Sequence, residues 1–194
     1  HNPVEADYID VFKKMMPWAT EVAVFDTAFH QTMQPENFLY SIPYDYYKKY
    51  GARKYGAHGT SVRYVSARAA EMLNKPLEDL RMIVMHLGSG SSVTAVQGGQ
   101  SIDTSMGFTP LAGVTMGTRS GDIDPSLVAY LMKKLDVPDV GQMIHILNND
   151  SGLLGISGIS NDMRDLEADE DTKPRAKLAL DIFVNRVVKY VGSY

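Results

Sequence analysis

The sequence predicts an α/β domain with a mixed sheet flanked by helices. Three observations lead there. Residues 82–97, MIVMHLGSGSSVTAVQ, are two apolar, β-branched runs around a short Gly-Ser stretch, the pattern of a hairpin. EVAVFD at 21–26 is a compact apolar run ending in an acid and reads as a buried strand. Elsewhere apolar residues recur at helical spacing, most clearly over 60–75 and 174–194. Neighbouring antiparallel strands interspersed with helices argue for one sheet covered by helices.

In chain order, residues 5–16 read as a helix with Tyr8, Val11, Phe12, Met15 and Met16 on one face and Pro17 ending it. The strand at 21–26 is followed by the polar-aromatic TAFHQTMQP, and a short helix is expected at YDYYKKYG, residues 44–51. TSVRYVSARAAEMLNK is a helix capped by Thr60 or Ser61, with Val62, Val65, Ala69, Met72 and Leu73 as its apolar stripe. After the hairpin a third strand is expected at QSIDTSM, and then a long glycine-rich loop, GFTPLAGVTMGTRSGDIDP. That loop feeds a helix with Asp124 as N-cap and Pro125 at its first position. A further helix covers 139–148, SGLLGISGIS reads as a flexible connector, and Ser160 caps NDMRDLEA. In the last helix Leu180, Val184, Val187, Val188 and Val191 mark one face.

Composition narrows the function classes. With 19 basic and 23 acidic residues the net charge is -4, so a basic footprint for nucleic acid is absent. No uninterrupted apolar run is long enough to span a bilayer, and the first ten residues carry acids but no Lys or Arg, unlike a signal peptide. There are no cysteines, which excludes disulfides and thiolate metal sites and fits a reducing cytoplasm. The chain opens directly before one helical pattern and closes inside another, as expected of a segment of a longer protein.

Several familiar motifs are missing. No Gly is followed by Lys, so there is no Walker A loop; GSGSSV has valine where a dinucleotide fingerprint needs glycine; GISGI fails G-x-S-x-G; HExxH is absent. Four features remain. Asp26 ends an apolar strand, where a carboxylate can hold Mg²⁺ through water or orient a nucleophile, although the segment alone reads as an aspartate opening a turn. His58 and Gly59 precede a helix N-terminus, a setting that favours anions; a histidine in a capping turn accounts for them equally. HLGSGSS can turn successive backbone N–H groups toward one anion, with Ser91 and Ser92 adding hydroxyls; a flexible hairpin is the plainer account. In MGTRSGDIDP one arginine, Arg119, lies among small residues, suited to carboxylate or phosphate oxygens or to a salt bridge with Asp122 or Asp124. Together these supply an acid, two histidines, an arginine and a phosphate-sized loop. Phosphoryl transfer, which depends on positioning and charge neutralisation, can use such a set.

FDTAFHQTM, YGAHGTS, HLGSGSS, TPLAGVTMGTRSGDIDP and SNDMRDL, in this order and spacing, resemble motifs of the acetate kinase (acetokinase) family, and the resemblance runs the length of the chain. It implies a ribonuclease-H-like fold of the actin, Hsc70 and sugar kinase superfamily, with two lobes around an ATP cleft. Residues 1–27 would close an N-terminal lobe and 28–194 would form an incomplete, truncated C-terminal lobe. The implied reaction is reversible, direct in-line phosphoryl transfer from ATP to acetate, with Mg²⁺. Asp26 would be the active-site acid, near Mg²⁺ through water; Arg119 would neutralise acetate and the transferring group; His58 would stabilise the transition state. His86, Leu87, Gly88, Ser89 and Gly90 would form a phosphate loop for ATP, with Asp162, Met163 and Arg164 along the nucleotide. His1 would lie near the reaction centre and Pro110 in the acyl pocket. A cytoplasmic homodimer is implied, with no nucleic-acid or membrane partner.

The sequence departs from the family pattern at three positions: Ala57 where phenylalanine is usual, Val62 for histidine and Ser89 for asparagine. Ala57 removes an aromatic wall and is expected to loosen discrimination by acyl-chain length. Family parts on both sides of this segment are missing, so the 194-residue chain alone is expected to lack useful kinase activity. Alternatives are a propionate or butyrate kinase of the same family and a non-catalytic ATP-binding scaffold, which would have no need of an acyl-side arginine.

Overall fold

The computed structural model describes residues 2–194; His1 lies outside the described residues. Helix α1 (Asn2–Met15) leads through a turn into a stretch without regular structure and a short 3₁₀ segment at Ala28–Thr32. The short α2 (Pro35–Phe38) and α3 (Tyr44–Tyr50) follow, the latter closed by Gly51 in the left-handed conformation. Helix α4 (Gly59–Leu73) then precedes the sheet, formed by β1 (Arg81–Leu87), β2 (Ser91–Gln97) and β3 (Gln100–Thr104) in that order. After the long loop come α5 (Pro125–Lys134), α6 (Val140–Asn149), α7 (Gly152–Ser157), α8 (Met163–Asp169) and α9 (Pro174–Ser193).

The hairpin forms in the expected place, with His86 opposite Ser92 and Leu87 opposite Ser91. Gly98 and Gly99, both at positive φ, make the two-residue turn from β2 to β3. All three strands are antiparallel, so the described sheet is not mixed. The expected strand at 21–26 does not form: its side chains are exposed, and the described residues offer no ladder beside it. A strand needs that partner to satisfy its backbone groups.

Three small cores hold the chain. Val62 of α4 packs on Val84 and Val96 of the sheet with Phe29. Leu153, Leu166, Ala176, Ala179, Leu180 and Phe183 join α7, α8 and α9. Ala57, Met106 and Met116 fill the space beneath the glycine-rich loop. Truncating a fully buried residue such as Leu166 to alanine removes about 2–5 kcal/mol in cores of this kind.

These packings correct several local expectations. SGLLGISGIS contains a helix, because Leu153 and Ile156 join the core against α9. On α9 the buried face runs through Ala176, Ala179, Leu180 and Phe183, leaving Val184, Val188 and Val191 exposed. On α4 the buried face is Val62, Ser66 and Ala70, while Val65, Met72 and Leu73 face outward. The apolar face of α1 and residues Trp18, Val22, Val24 and Phe25 are likewise uncovered. Asp162, not Ser160, caps α8 by accepting from Arg164 N at 2.9 Å, and Ser160 instead donates to Asp165. The cap at Asp124 forms as the sequence predicts, over Ser126 N, and Asp139 caps α6 by accepting from Gln142 N. Among the described residues no helix is long and apolar enough to cross a membrane.

Candidate active site

The start of α4 is the organising feature. Neither Thr60 nor Ser61 caps it. Asp26 does so from a distance: its Oδ2 accepts from His58 N at 2.6 Å and its carbonyl from Gly59 N at 2.8 Å. This grip holds His58 at φ 59°, a left-handed conformation uncommon for a residue with a side chain. Gly59 has no alternative, since a Cβ there would stand 2.4 Å from the Asp26 carbonyl oxygen. Asp26 is exposed, and among the described residues its Oδ1 accepts no bond.

His58 stacks on His86, ring centroids 3.9 Å apart and planes 19° from parallel. Nδ1 of His58 lies 2.9 Å from Ser92 Oγ, and Nδ1 of His86 lies 2.9 Å from Ser61 Oγ. Desolvation, with the nearby His86 second, pushes the His58 imidazole down to about 4, so it is neutral near pH 7.

The Gly88–Gly90 loop closes the hairpin beside both rings. A Cβ at Gly90 would lie 3.1 Å from Arg119 Nη1 and 3.5 Å from His58 Nε2, and one at Gly88 would lie 3.6 Å from His86 Nε2. Both imidazoles and the guanidinium therefore converge on this loop. The loop is partly self-satisfied: Gly88 N donates to Gly90 O, and Ser91 Oγ donates to Gly88 O. Among the described residues the N–H groups of Ser89 and Gly90 have no partner. Ser91 and Ser92, expected to be ligand donors, are fully buried and turned inward.

Arg119 rides on a loop fastened at several points. Met116 N bonds Arg119 O, Gly117 N bonds Ser89 O, and Ser120 N bonds Leu147 O. Neither nearby acid pairs with it. Asp122 accepts from Gly113 N and the Tyr190 hydroxyl, and Asp124 caps α5. Among the described residues Arg119 has no carboxylate partner; its Nη1 reaches only Pro110 O at 3.5 Å and Met116 Sδ at 3.8 Å.

Two clefts border this centre. One, of about 410 Å³, is lined by Leu87, Gly88 and Ser89 on one side and Asp162, Met163 and Arg164 on the other. Arg164 folds back on Asp162 there and holds its carboxyl down at about 2. The other, of about 800 Å³, brings Asp26, Ala57, Phe108 and Pro110 together. The expected nucleotide-side residues Leu87, Gly88, Ser89, Asp162, Met163 and Arg164 fall on the first cleft and the expected acyl-side Pro110 on the second; His86 and Gly90 line neither, and His1 lies outside the described residues.

The acetokinase family model matches residues 1–194. The chain belongs to the acetokinase family. This family member is 64% identical to the acetate kinase of Lactiplantibacillus plantarum and 66% identical to acetate kinase 1 of Latilactobacillus sakei, each over its full 194 residues. It spans about half the length of these curated relatives, 49% of each. In structure it resembles Porphyromonas gingivalis acetate kinase (TM-score 0.95, 42% identity) and a Francisella tularensis propionate kinase (TM-score 0.95, 50% identity). Both likenesses cover all of this chain, and 49% and 50% of those chains. The fold of this family member is accordingly the actin and Hsc70-like one.

Sequence reading missed His30, although it lies inside the quoted FDTAFHQTM. It is fully buried, with Nε2 donating to Ala57 O and Nδ1 accepting from Ser101 Oγ, each at 2.8 Å. It thereby pins the residue before His58. Burial lowers its pKa below 6.5, so the folded protein binds fewer protons than the unfolded chain. His58 acts in the same direction. Their contribution to stability is complete above about pH 6.5 and is lost as pH falls toward the lowered folded values. Denaturant unfolding of the whole protein should show a falling midpoint from pH 7 to pH 4.5. In His30→Gln the midpoint should be lower at pH 7 and its fall over that range shallower.

Proposed function

We propose that the whole protein transfers the terminal phosphoryl group of ATP to acetate, giving acetyl phosphate and ADP in a reversible, direct in-line step. The observation that carries this reading is the convergence on the Gly88–Gly90 loop of His58 Nε2 and Arg119 Nη1, a guanidinium with no carboxylate partner among the described residues. In-line transfer brings negative oxygens from both substrates together, and fixed positive or donor groups then act most strongly at the transition state. Arg119 can bridge the carboxylate and the transferring group, and His58 donates to an equatorial oxygen. The Ser89 and Gly90 N–H groups receive the outer phosphates, and the nucleotide lies along Asp162, Met163 and Arg164. Pro110 and His1 belong to the acyl side. Asp26 holds His58 in place with one oxygen and offers the other to the site.

Among the described residues no cluster of three or more acids or histidines could chelate a metal. A hydrated Mg²⁺, which usually keeps several waters and uses few carboxylates, suits Asp26 as an outer partner. When bound with ATP it would neutralise phosphate charge. A division near residue 27 between two lobes, assembly as a homodimer and a cytoplasmic location belong to the same proposal. The uncovered faces of α1, of residues 18–25 and of α9 support a chain that needs the rest of the protein for a complete cleft. Acetate- and ATP-dependent formation of acetyl phosphate by the whole protein, trapped as its hydroxamate, tests the reading; ATP binding without that product would favour a scaffold instead.

A second reading, a propionate-preferring enzyme, is favoured by Ala57. This small residue lines the cleft shared by Asp26 and Pro110. Filling such a site by one methylene changes selectivity by roughly 10–200-fold. In Ala57→Phe the propionate-to-acetate ratio of kcat/KM should fall about tenfold or more. An unchanged ratio would exclude Ala57 from acyl-chain selection.

A further inference from the structure

The two stacked histidines are cross-braced. The hairpin register places Ser92 directly opposite His86, so both side chains occupy the same face of the ladder. His58, arriving from the start of α4, lies against that face and takes Ser92, while Ser61 from the first turn of α4 reaches back to His86. The serine of the hairpin therefore holds the histidine of the helix, and the serine of the helix holds the histidine of the hairpin.

Hydrogen-bond accounting decides the direction of the first brace. Ser92 is fully buried, and its hydroxyl has no partner among the described residues other than His58 Nδ1. If Nδ1 carried the ring proton and donated it, the serine O–H would be stranded in the interior, at a penalty of about 1–3 kcal/mol. The serine must donate, Nδ1 must accept, and the proton of the neutral ring is left on Nε2. That nitrogen faces the Gly90 and Arg119 side of the loop, where an N–H suits an anion and a lone pair would repel it.

We propose that Ser92 is a positioning residue that fixes the neutral Nε2–H tautomer of His58 by donating its hydroxyl proton to Nδ1, while the Ser61–His86 bond holds the stacked partner ring in place. The consequence for catalysis rests on the phosphoryl-transfer reading above; the tautomer itself does not. Outer partners that orient metal-bound imidazoles are worth about 10–100-fold in activity when removed, and the same scale is expected for the partner that orients His58.

Neutron diffraction from perdeuterated crystals of the whole protein tests the tautomer directly. Deuterium on His58 Nε2, with the Ser92 hydroxyl deuteron directed at Nδ1, is the expected result; deuterium on Nδ1 of the neutral ring overturns the proposal. Kinetics supply the second arm. Ser92→Ala should lower kcat for acyl phosphate formation about tenfold or more, with KM for ATP and acetate within about threefold, and Ser92→Thr should recover most of the loss. An Ser92→Ala enzyme with unchanged kcat also overturns the positioning role. Should the wild type form no acyl phosphate, the phosphotransferase reading fails, and the neutron result alone judges the tautomer.

Discussion

Replacing Arg119 with alanine should lower kcat of the whole protein by about a thousandfold, the lower end of what a transition-state arginine contributes to phosphoryl transfer. A factor of that size corresponds to about 4 kcal/mol of lost stabilisation. The expectation follows from what surrounds the guanidinium. Its loop is pinned to Ser89 and Leu147 by backbone bonds, and Asp122 and Asp124 are both engaged elsewhere. The charge is thus held in place and left uncompensated beside the Gly90 loop. Because it makes no ion pair within the described residues, its removal strands no partner, and the unfolding midpoint should move little. Lysine should restore only part of the activity, since a single ammonium cannot bridge two oxygen groups as a planar fork does. Steady-state kinetics and denaturant unfolding of Arg119→Ala and Arg119→Lys check both halves of this expectation.

The second large effect is expected at Asp26, where two variants separate two roles. Asp26→Asn keeps an amide oxygen that can accept from His58 N but removes the charge. It should leave stability within about 1 kcal/mol of wild type and reduce kcat by about a hundredfold or more. Asp26→Ala also removes the acceptor that holds His58 at φ 59°. That variant should lose about 1–2 kcal/mol of stability in addition, the scale of a lost helix cap. Equal activity in Asp26→Asn and wild type would reduce Asp26 to a structural cap.

The contrast at Asp26 illustrates what the sequence could carry. Local signals found the hairpin, β3, α5 with its Asp124 cap, and α6, because each depends on residues a few positions apart. They misjudged the start of α4, since the cap comes from 32 residues upstream in the chain. Helical spacing located α9 but chose a face too far toward Val184, Val188 and Val191; the small Ala176 and Ala179, which permit close approach of α7 and α8, were the ones buried. The run at 21–26 has a strand's composition but no ladder among the described residues.

The candidate site was legible mainly as motifs. Asp26, His58, His86, Gly90 and Arg119 were all singled out, their roles through the family resemblance; the fold brings His58, His86 and Arg119 around one loop, with Asp26 holding His58 N. The orientation of the serines was not legible. Ser91 and Ser92 look alike in sequence, yet one closes the hairpin loop and the other holds His58. Alternation along β2, read against the register of β1, is the signal that separates them. His30 was hidden for a different reason: a buried histidine bonded to a backbone carbonyl leaves no local pattern.

The most direct test of the account is a double-mutant cycle on kcat with Arg119→Ala, His58→Ala and the two combined. If both groups act on one transferring phosphoryl group at the Gly90 loop, their effects are not independent. The double variant should then be less impaired than the product of the two single losses, by about tenfold or more, corresponding to a coupling of about 1.4 kcal/mol. A double variant whose loss equals that product would place Arg119 and His58 in separate tasks and contradict a shared phosphoryl-transfer centre.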